Sequence, residues 1–130
     1  MCIFCKIINN EIPSSVVYED DLFKAILDLS QATKGHTIII TKDHFDNLYE
    51  TNDKYLENYL LVTKKVMEIL KRSFNPKGFN VLSNIGTTAG QSVLHTHIHV
   101  IPRYEDNDIE IKFTDNNGVD LSKIQKELKK

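Results

Sequence analysis

The chain has 130 residues, 41% hydrophobic and 26% charged, ordinary values for one globular domain with a single core. Its formal net charge of −2 lacks the basic excess of a dedicated nucleic-acid binder. No apolar run reaches the length of a membrane span and no signal-like segment opens the chain, so no membrane association and a cytoplasmic location are expected.

Ile3, Ile7 and Ile8 at helical spacing, stopping before Pro13, predict a short helix or turn over 1–12 that carries Cys2 and Cys5. These cysteines stand as C-x-x-C, too close for a staple across a long loop. In a reducing compartment that spacing reads as a metal half-site or a redox couple. Residues 16–18 and 22–28 predict two strands joined by an acidic turn, a hairpin. A loop over 30–35 leads to residues 37–41, an almost continuous apolar run that predicts a central strand covered on both faces.

After a connecting segment that holds His44, Asn52 or Asp53 caps one long helix predicted to about Ser73. Leu56, Tyr59, Leu60, Val66, Met67 and Leu70 recur at steps of three and four and predict its buried stripe. The turn Asn75-Pro76-Lys77-Gly78 ends it, and residues 79–83 form a strand. A glycine-containing loop over 84–91 then leads to a strand over 92–101, bounded by Pro102. A hairpin loop of that length is more often functional than incidental. Beyond Arg103 the chain turns polar and ends in a predicted short helix, with Ser122 and Gln125 as a capping box and Leu121, Ile124 and Leu128 on one side. The order predicts an α+β fold with a mainly antiparallel sheet around one long helix. Residues 1–105 form the domain, and 106–130 an extension packing on it or on a partner subunit.

The chemistry concentrates in Ser92-Val93-Leu94-His95-Thr96-His97-Ile98-His99-Val100-Ile101. Strand side chains alternate faces, so His95, His97 and His99 are predicted on one side and Thr96, Ile98 and Val100 on the other. At strand spacing His95 and His99 lie roughly 13 Å apart, too far for one metal ion with bonds of about 2 Å. The three imidazoles therefore divide the work. Just before them, Gly86, Gly90, Gln91 and Ser92 offer backbone amides that could face an anion, which beside aligned histidines reads as a phosphate site.

The run Gly90 to Ile101 resembles the signature of the histidine-triad nucleotide-binding proteins, His-x-His-x-His followed by apolar residues. The resemblance extends to residues 2–7, 27–30 and 35–44 and covers the chain to about residue 104, the histidine-triad domain. It implies the fold of that family and a nucleotidyl hydrolase or transferase. Its substrates would be purine nucleoside phosphoramidates or dinucleoside polyphosphates, with AMP as the bound or released nucleotide. By the family pattern His97 attacks the α-phosphorus to form a covalent nucleotidyl-imidazole, which water cleaves. His99 and backbone amides would steady the phosphate oxygens, and Ser92 would contact the phosphate or leaving group. Asp28 would hold the ribose hydroxyls, with Asn84, Gly90 and Gln91 on the phosphate side.

The resemblance also implies a structural zinc held by Cys2, Cys5, His44 and His95, a closed tetrahedral set with no open position for substrate. Family members are commonly homodimers paired through the long helix and a sheet edge. Two positions depart from the pattern: Thr41 replaces a usual proline, expected to touch no chemistry, and Thr96 replaces an apolar residue. His36 is expected to be buried and hydrogen-bonded in a structural role. A neutral imidazole nucleophile would lose activity below about pH 6. The competing reading is a zinc-stabilised nucleotide-binding module with negligible turnover.

Overall fold

A computed structural model describes residues 1–130. A short helix α1 (Ile3–Ile8) is followed by strands β1 (Val16–Glu19), β2 (Phe23–Leu27) and β3 (Thr37–Thr41). The long helix α2 (Asp53–Phe74), strands β4 (Gly78–Leu82) and β5 (His97–Arg103), and a terminal helix α3 (Leu121–Glu127) complete the chain. The strands form one antiparallel sheet in the order β1-β2-β3-β5-β4, so the α+β expectation holds. No helix is long and apolar enough to cross a membrane.

The sheet register decides what faces what. Ile40 lies opposite His97 and Ile38 opposite His99, while Ile39 lies opposite Ile98. Directly paired residues share a face, so His97 and His99 lie with Ile38 and Ile40, and Ile39, Ile98 and Val100 point the other way. That second face packs on α2, through Phe23, Ala25, Tyr55, Tyr59, Val62 and Val66. The histidine face packs on α1, where Phe4 and Ile7 meet Ile26, Ile38 and Ile40. β3 is buried at every residue, as a strand covered on both faces must be.

α1 is held at both ends. Its N-cap Cys2 accepts the Cys5 N–H through sulfur, and its last turn receives Lys24, a buried lysine whose Nζ donates to Ile7 O (3.1 Å) and Asn10 Oδ1 (2.9 Å). In α2, Asp53 sits in the first turn and Lys71 and Arg72 in the last, matching the helix dipole. Asn75 ends it in the left-handed region (φ 50°), ahead of Pro76.

Three sequence expectations are corrected. The buried stripe of α2 is Tyr55, Tyr59, Val62, Thr63, Val66 and Leu70, with Met67 at its edge, whereas Leu56 and Leu60 are exposed. The stripe is rotated because both tyrosine hydroxyls find partners at the sheet, Asp43 Oδ2 just beyond β3 for Tyr55 and the buried Ile39 O for Tyr59 (2.6 Å each). The last strand starts at His97, not Ser92, and runs through Pro102 to Arg103. Proline is tolerated there because β3 pairs only as far as Val100, beyond which β5 is an edge. In α3 the cap is Asp120, whose carboxylate accepts the Lys123 N–H, rather than Ser122. Leu121, Ile124 and Leu128 are exposed, and α3 buries no residue within the chain.

Candidate active site

The histidines divide into two groups on either side of the point where β5 begins. His95 precedes the strand, in a bend where its N–H bonds Val93 O and the Thr96 N–H bonds Phe45 O. His95 is fully buried, and its ring Nε2 lies 2.7 Å from Thr41 O. A carbonyl only accepts, so Nε2 carries the proton and Nδ1 is bare. That bare nitrogen faces Cys2 Sγ at 3.4 Å, Cys5 Sγ at 3.6 Å and His44 Nδ1 at 3.1 Å. His44 repeats the pattern: its Nε2 donates to Asp46 Oδ1 (3.2 Å), and its Nδ1 lies 3.4 Å from Cys5 Sγ.

Two bare ring nitrogens thus face each other at 3.1 Å beside two sulfurs, which is repulsive unless a cation or proton sits among them. A tetrahedral zinc with bonds of about 2.0–2.3 Å sets its donors about 3.3–3.8 Å apart, a spacing these four atoms approach. The outer bonds from Nε2 fix each ring's tautomer as a ligating histidine requires. Burial and the neighbouring Cys2 sulfur push the Cys5 thiol above its ordinary value, and burial lowers His95. Thr41, expected to touch no chemistry, offers both its carbonyl and its hydroxyl (3.3 Å) to His95 Nε2. Thr96 is buried and bonds the Thr51 hydroxyl (2.7 Å), a pairing that accommodates its polar group in the core.

The other two histidines face a cavity of about 210 Å³ walled by Ile3, Phe4, Ile7, Leu27, Leu29 and Val93. Asp28, Ser92, His97 and His99 supply its polar atoms. His97 Nδ1 donates to His95 O at 2.7 Å, so in the neutral ring Nε2 carries a lone pair. Burial, opposed by that bond and by Asp28, holds His97 below the usual imidazole range, which keeps it neutral at neutral pH. A nucleophile needs that state.

His99 has the opposite tautomer. The Ala32 N–H bonds His36 Nδ1 (3.1 Å), so neutral His36 holds its proton on Nε2 and gives it to His99 Nδ1 (2.9 Å). His99 therefore keeps its own proton on Nε2. Asp28 Oδ2 lies beside the pair, 3.6 Å from His36 and 3.9 Å from His99, while its Oδ1 accepts the Ser30 N–H (2.8 Å). Burial, then the neighbouring His97 and His36, pushes His99 down to about 4, so it is a neutral donor rather than a cation. One ring presents a lone pair and the other a proton, with centroids 5.0 Å apart. That pairing suits attack on a phosphorus with a donor for the charge that develops.

Of the residues expected at the phosphate, Ser92 lines the cavity but Asn84, Gly90 and Gln91 do not. Gln91 is buried and fully engaged: Oε1 accepts the Gly86 N–H (2.8 Å), and Nε2 donates to Asp46 O (2.5 Å) and Val93 O (3.0 Å). It ties the glycine loop to the segment carrying His44. Asn84 bonds Gly90 O (3.3 Å) across the same loop. His36 is buried and hydrogen-bonded as expected, but it bonds the triad itself, and its even-numbered parity with Ile38 and Ile40 was the available signal. Phe4, part of the wall, carried no signal beyond helical spacing. A larger open groove of about 550 Å³, between the β1–β2 turn and α2, contains no histidine or cysteine.

Comparison with known proteins gives a consistent answer. Residues 9–106 match the HIT domain family. An uncharacterized HIT-like protein of Methanocaldococcus jannaschii is 46% identical over 129 residues, covering 99% of each chain. An adenosine 5'-monophosphoramidase of Schizosaccharomyces pombe is 38% identical, covering 78% of this chain and 74% of its own. The crystal structure of a HIT family protein from Bacillus anthracis superposes with a TM-score of 0.89 at 42% identity, covering 96% of this chain and 90% of that one.

Proposed function

Because the chain belongs to the HIT domain family, we propose that it hydrolyses nucleoside 5'-phosphate derivatives, purine phosphoramidates or dinucleoside polyphosphates, through a nucleotidyl-His97 intermediate. The observation that carries this reading is the tautomer pair: a bare Nε2 on His97 beside a protonated Nε2 on His99, in one largely apolar cavity. His97 Nε2 attacks the α-phosphorus, and as the bond from phosphorus to Nε2 forms, the bond to the leaving group breaks, an amine departing with a proton taken from water and a phosphate departing as the anion. His99 donates a hydrogen bond from Nε2–H to a phosphoryl oxygen, and the Ser92 hydroxyl bonds the phosphate or leaving group. Asp28, at the cavity rim, accepts the ribose hydroxyls, and Ile3, Phe4 and Ile7 cover the base. Water then cleaves the P–N bond, restoring the imidazole and releasing the nucleoside monophosphate. The activity named for the fission-yeast relative supports this substrate class.

In the same reading Cys2, Cys5, His44 and His95 hold a structural zinc, whose chemistry is to cross-link α1 to the start of β5. With all four ligands from protein, no step of the reaction passes through it. A second copy of the chain covers the exposed leucines of α2, Leu56, Leu60 and Leu61, and the apolar side chains of residues 106–130.

The test is release of AMP from an adenosine 5'-phosphoramidate. His97→Ala is expected to lose at least about a thousandfold in rate. Wild type quenched during turnover should carry the mass of one adenylyl group, AMP less one water. Equal rates from wild type and His97→Ala would overturn the assignment, and tight AMP binding without turnover would turn the reading toward a binding module.

A further inference from the structure

Phe4 belongs to neither histidine group yet touches both. Its ring stands nearly perpendicular to His97 (centroids 5.0 Å, 85°) and to His95 (5.9 Å, 75°). It lies in the first turn of α1, between Cys2 and Cys5, and is 8% exposed. A histidine ring turns in a broad, shallow torsional well about its Cβ–Cγ bond, so one hydrogen bond leaves its tilt loosely set. His97 has one such bond, from Nδ1 to His95 O. The rings that stand against it are His99 and Phe4. The perpendicular arrangement sets a ring's positive edge against a negative face, an orientation that a branched aliphatic side chain of similar bulk does not impose.

The seat of Phe4 is set in turn by α1. That helix has six residues, too few to be stable alone, so its position depends on the apolar contact of Phe4 and Ile7 with the sheet and on two polar anchors. One is Lys24 at its last turn; the other is the approach of Cys2 and Cys5 to His44 and His95. Any change in how the two sulfurs sit on those histidines moves the residue between them.

We propose that Phe4 is a positioning residue that aligns His97 Nε2 in the cavity and transmits to that ring how Cys2 and Cys5 are seated on His44 and His95. The inference rests on the reading of His97 as nucleophile and adds a path by which the cysteine cluster governs it. Were Phe4 a mere filler of the core with Ile26, Ile38 and Ile40, a leucine would serve as well.

The experiment compares wild type, Phe4→Leu and Phe4→Met, each loaded with zinc and checked for one equivalent of metal. With substrate at saturation, so that any weakened base contact of Phe4 does not enter, the first-turnover rate on an adenosine 5'-phosphoramidate should fall about tenfold in both variants. Independently of turnover, the His97 Nδ1–H proton resonance should shift or broaden in both variants. Chelation of zinc should move the same resonance in wild type and add little in Phe4→Leu, as two changes on one path are non-additive.

Unchanged first-turnover rates and an unchanged His97 resonance in the variants would overturn the proposal. So would a chelation effect of equal size in wild type and Phe4→Leu. If both variants fail to fold, the wild-type protein still decides: a His97 resonance indifferent to zinc removal sinks the transmission. A wild type that releases no AMP refutes the enzymatic reading instead, and the resonance still reports on Phe4.

Discussion

His99 cannot take up a proton and keep its bond from His36, because its Nδ1 is the acceptor of that bond. This adds to the burial that pushes it down to about 4. In the unfolded chain the same ring titrates near 6.5. Above that pH neither state is protonated and folding stability is independent of this group. Between about 6.5 and 4 the unfolded chain takes up a proton that the folded one refuses, so stability falls as pH falls. Below about 4 both states are protonated and the loss levels off. The slope in the window reaches about 1.4 kcal/mol per pH unit for this one ring. Urea unfolding at pH 7, 6, 5 and 4, with chelator throughout, should show a shallower acid loss in His99→Asn, by about one proton's slope. Identical slopes in the two proteins would show that His99 titrates normally in the fold.

A short helix held by side chains at both ends explains how this fold can build a site on a face that α2 does not cover. Lys24 fixes the last turn of α1 whatever the metal state, while Cys2 and Cys5 fix the first turn only when their sulfurs are drawn to His44 and His95. Chelation of the proposed zinc is therefore expected to lower the melting temperature, by about 10 °C for a metal present at a thousandfold excess over its dissociation constant. Amide exchange should accelerate at residues 3–6 more than at residues 7–10. Uniform acceleration along the whole chain, or none, would contradict a local cross-link. The same long-range ties mark what the sequence could show. Local pattern carried the β-branched strands, the existence of α2 and the shared face of His97 and His99. The start of β5 was hidden because residues 92–96 bond the segment after β3, as Thr96 does with Phe45 and Thr51, and no periodicity records such a bond. The rotation of the α2 stripe was hidden for the same reason, since Tyr55 and Tyr59 are buried by partners far away in the chain. Gln91 sits in the right motif, yet its amide is consumed in bracing the loop.

At the scale of the molecule, one chain leaves too much apolar surface in water. Leu60 is 75% exposed and Leu61 63%, and Phe113, Leu121 and Leu128 are exposed in the C-terminal extension. A seven-residue helix such as α3, with nothing beneath it, has no stability of its own. Both features are accounted for if they meet a second copy, with the leucines of α2 at the centre of the contact. β4 lies at the edge of the sheet, with no strand of this chain paired on its outer side. Light scattering at micromolar concentration should give the mass of two chains. Leu60→Glu should give that of one, because a carboxylate at the centre of an apolar contact would be buried unpaired. Removal of residues 109–130 should weaken dimerisation at least about tenfold if the extension lies on the partner, since even a few buried side chains are worth that much. A wild type that elutes as a single chain would overturn the arrangement. A truncated protein that dimerises as tightly as the full chain would remove the extension from the contact and leave α2 alone in it.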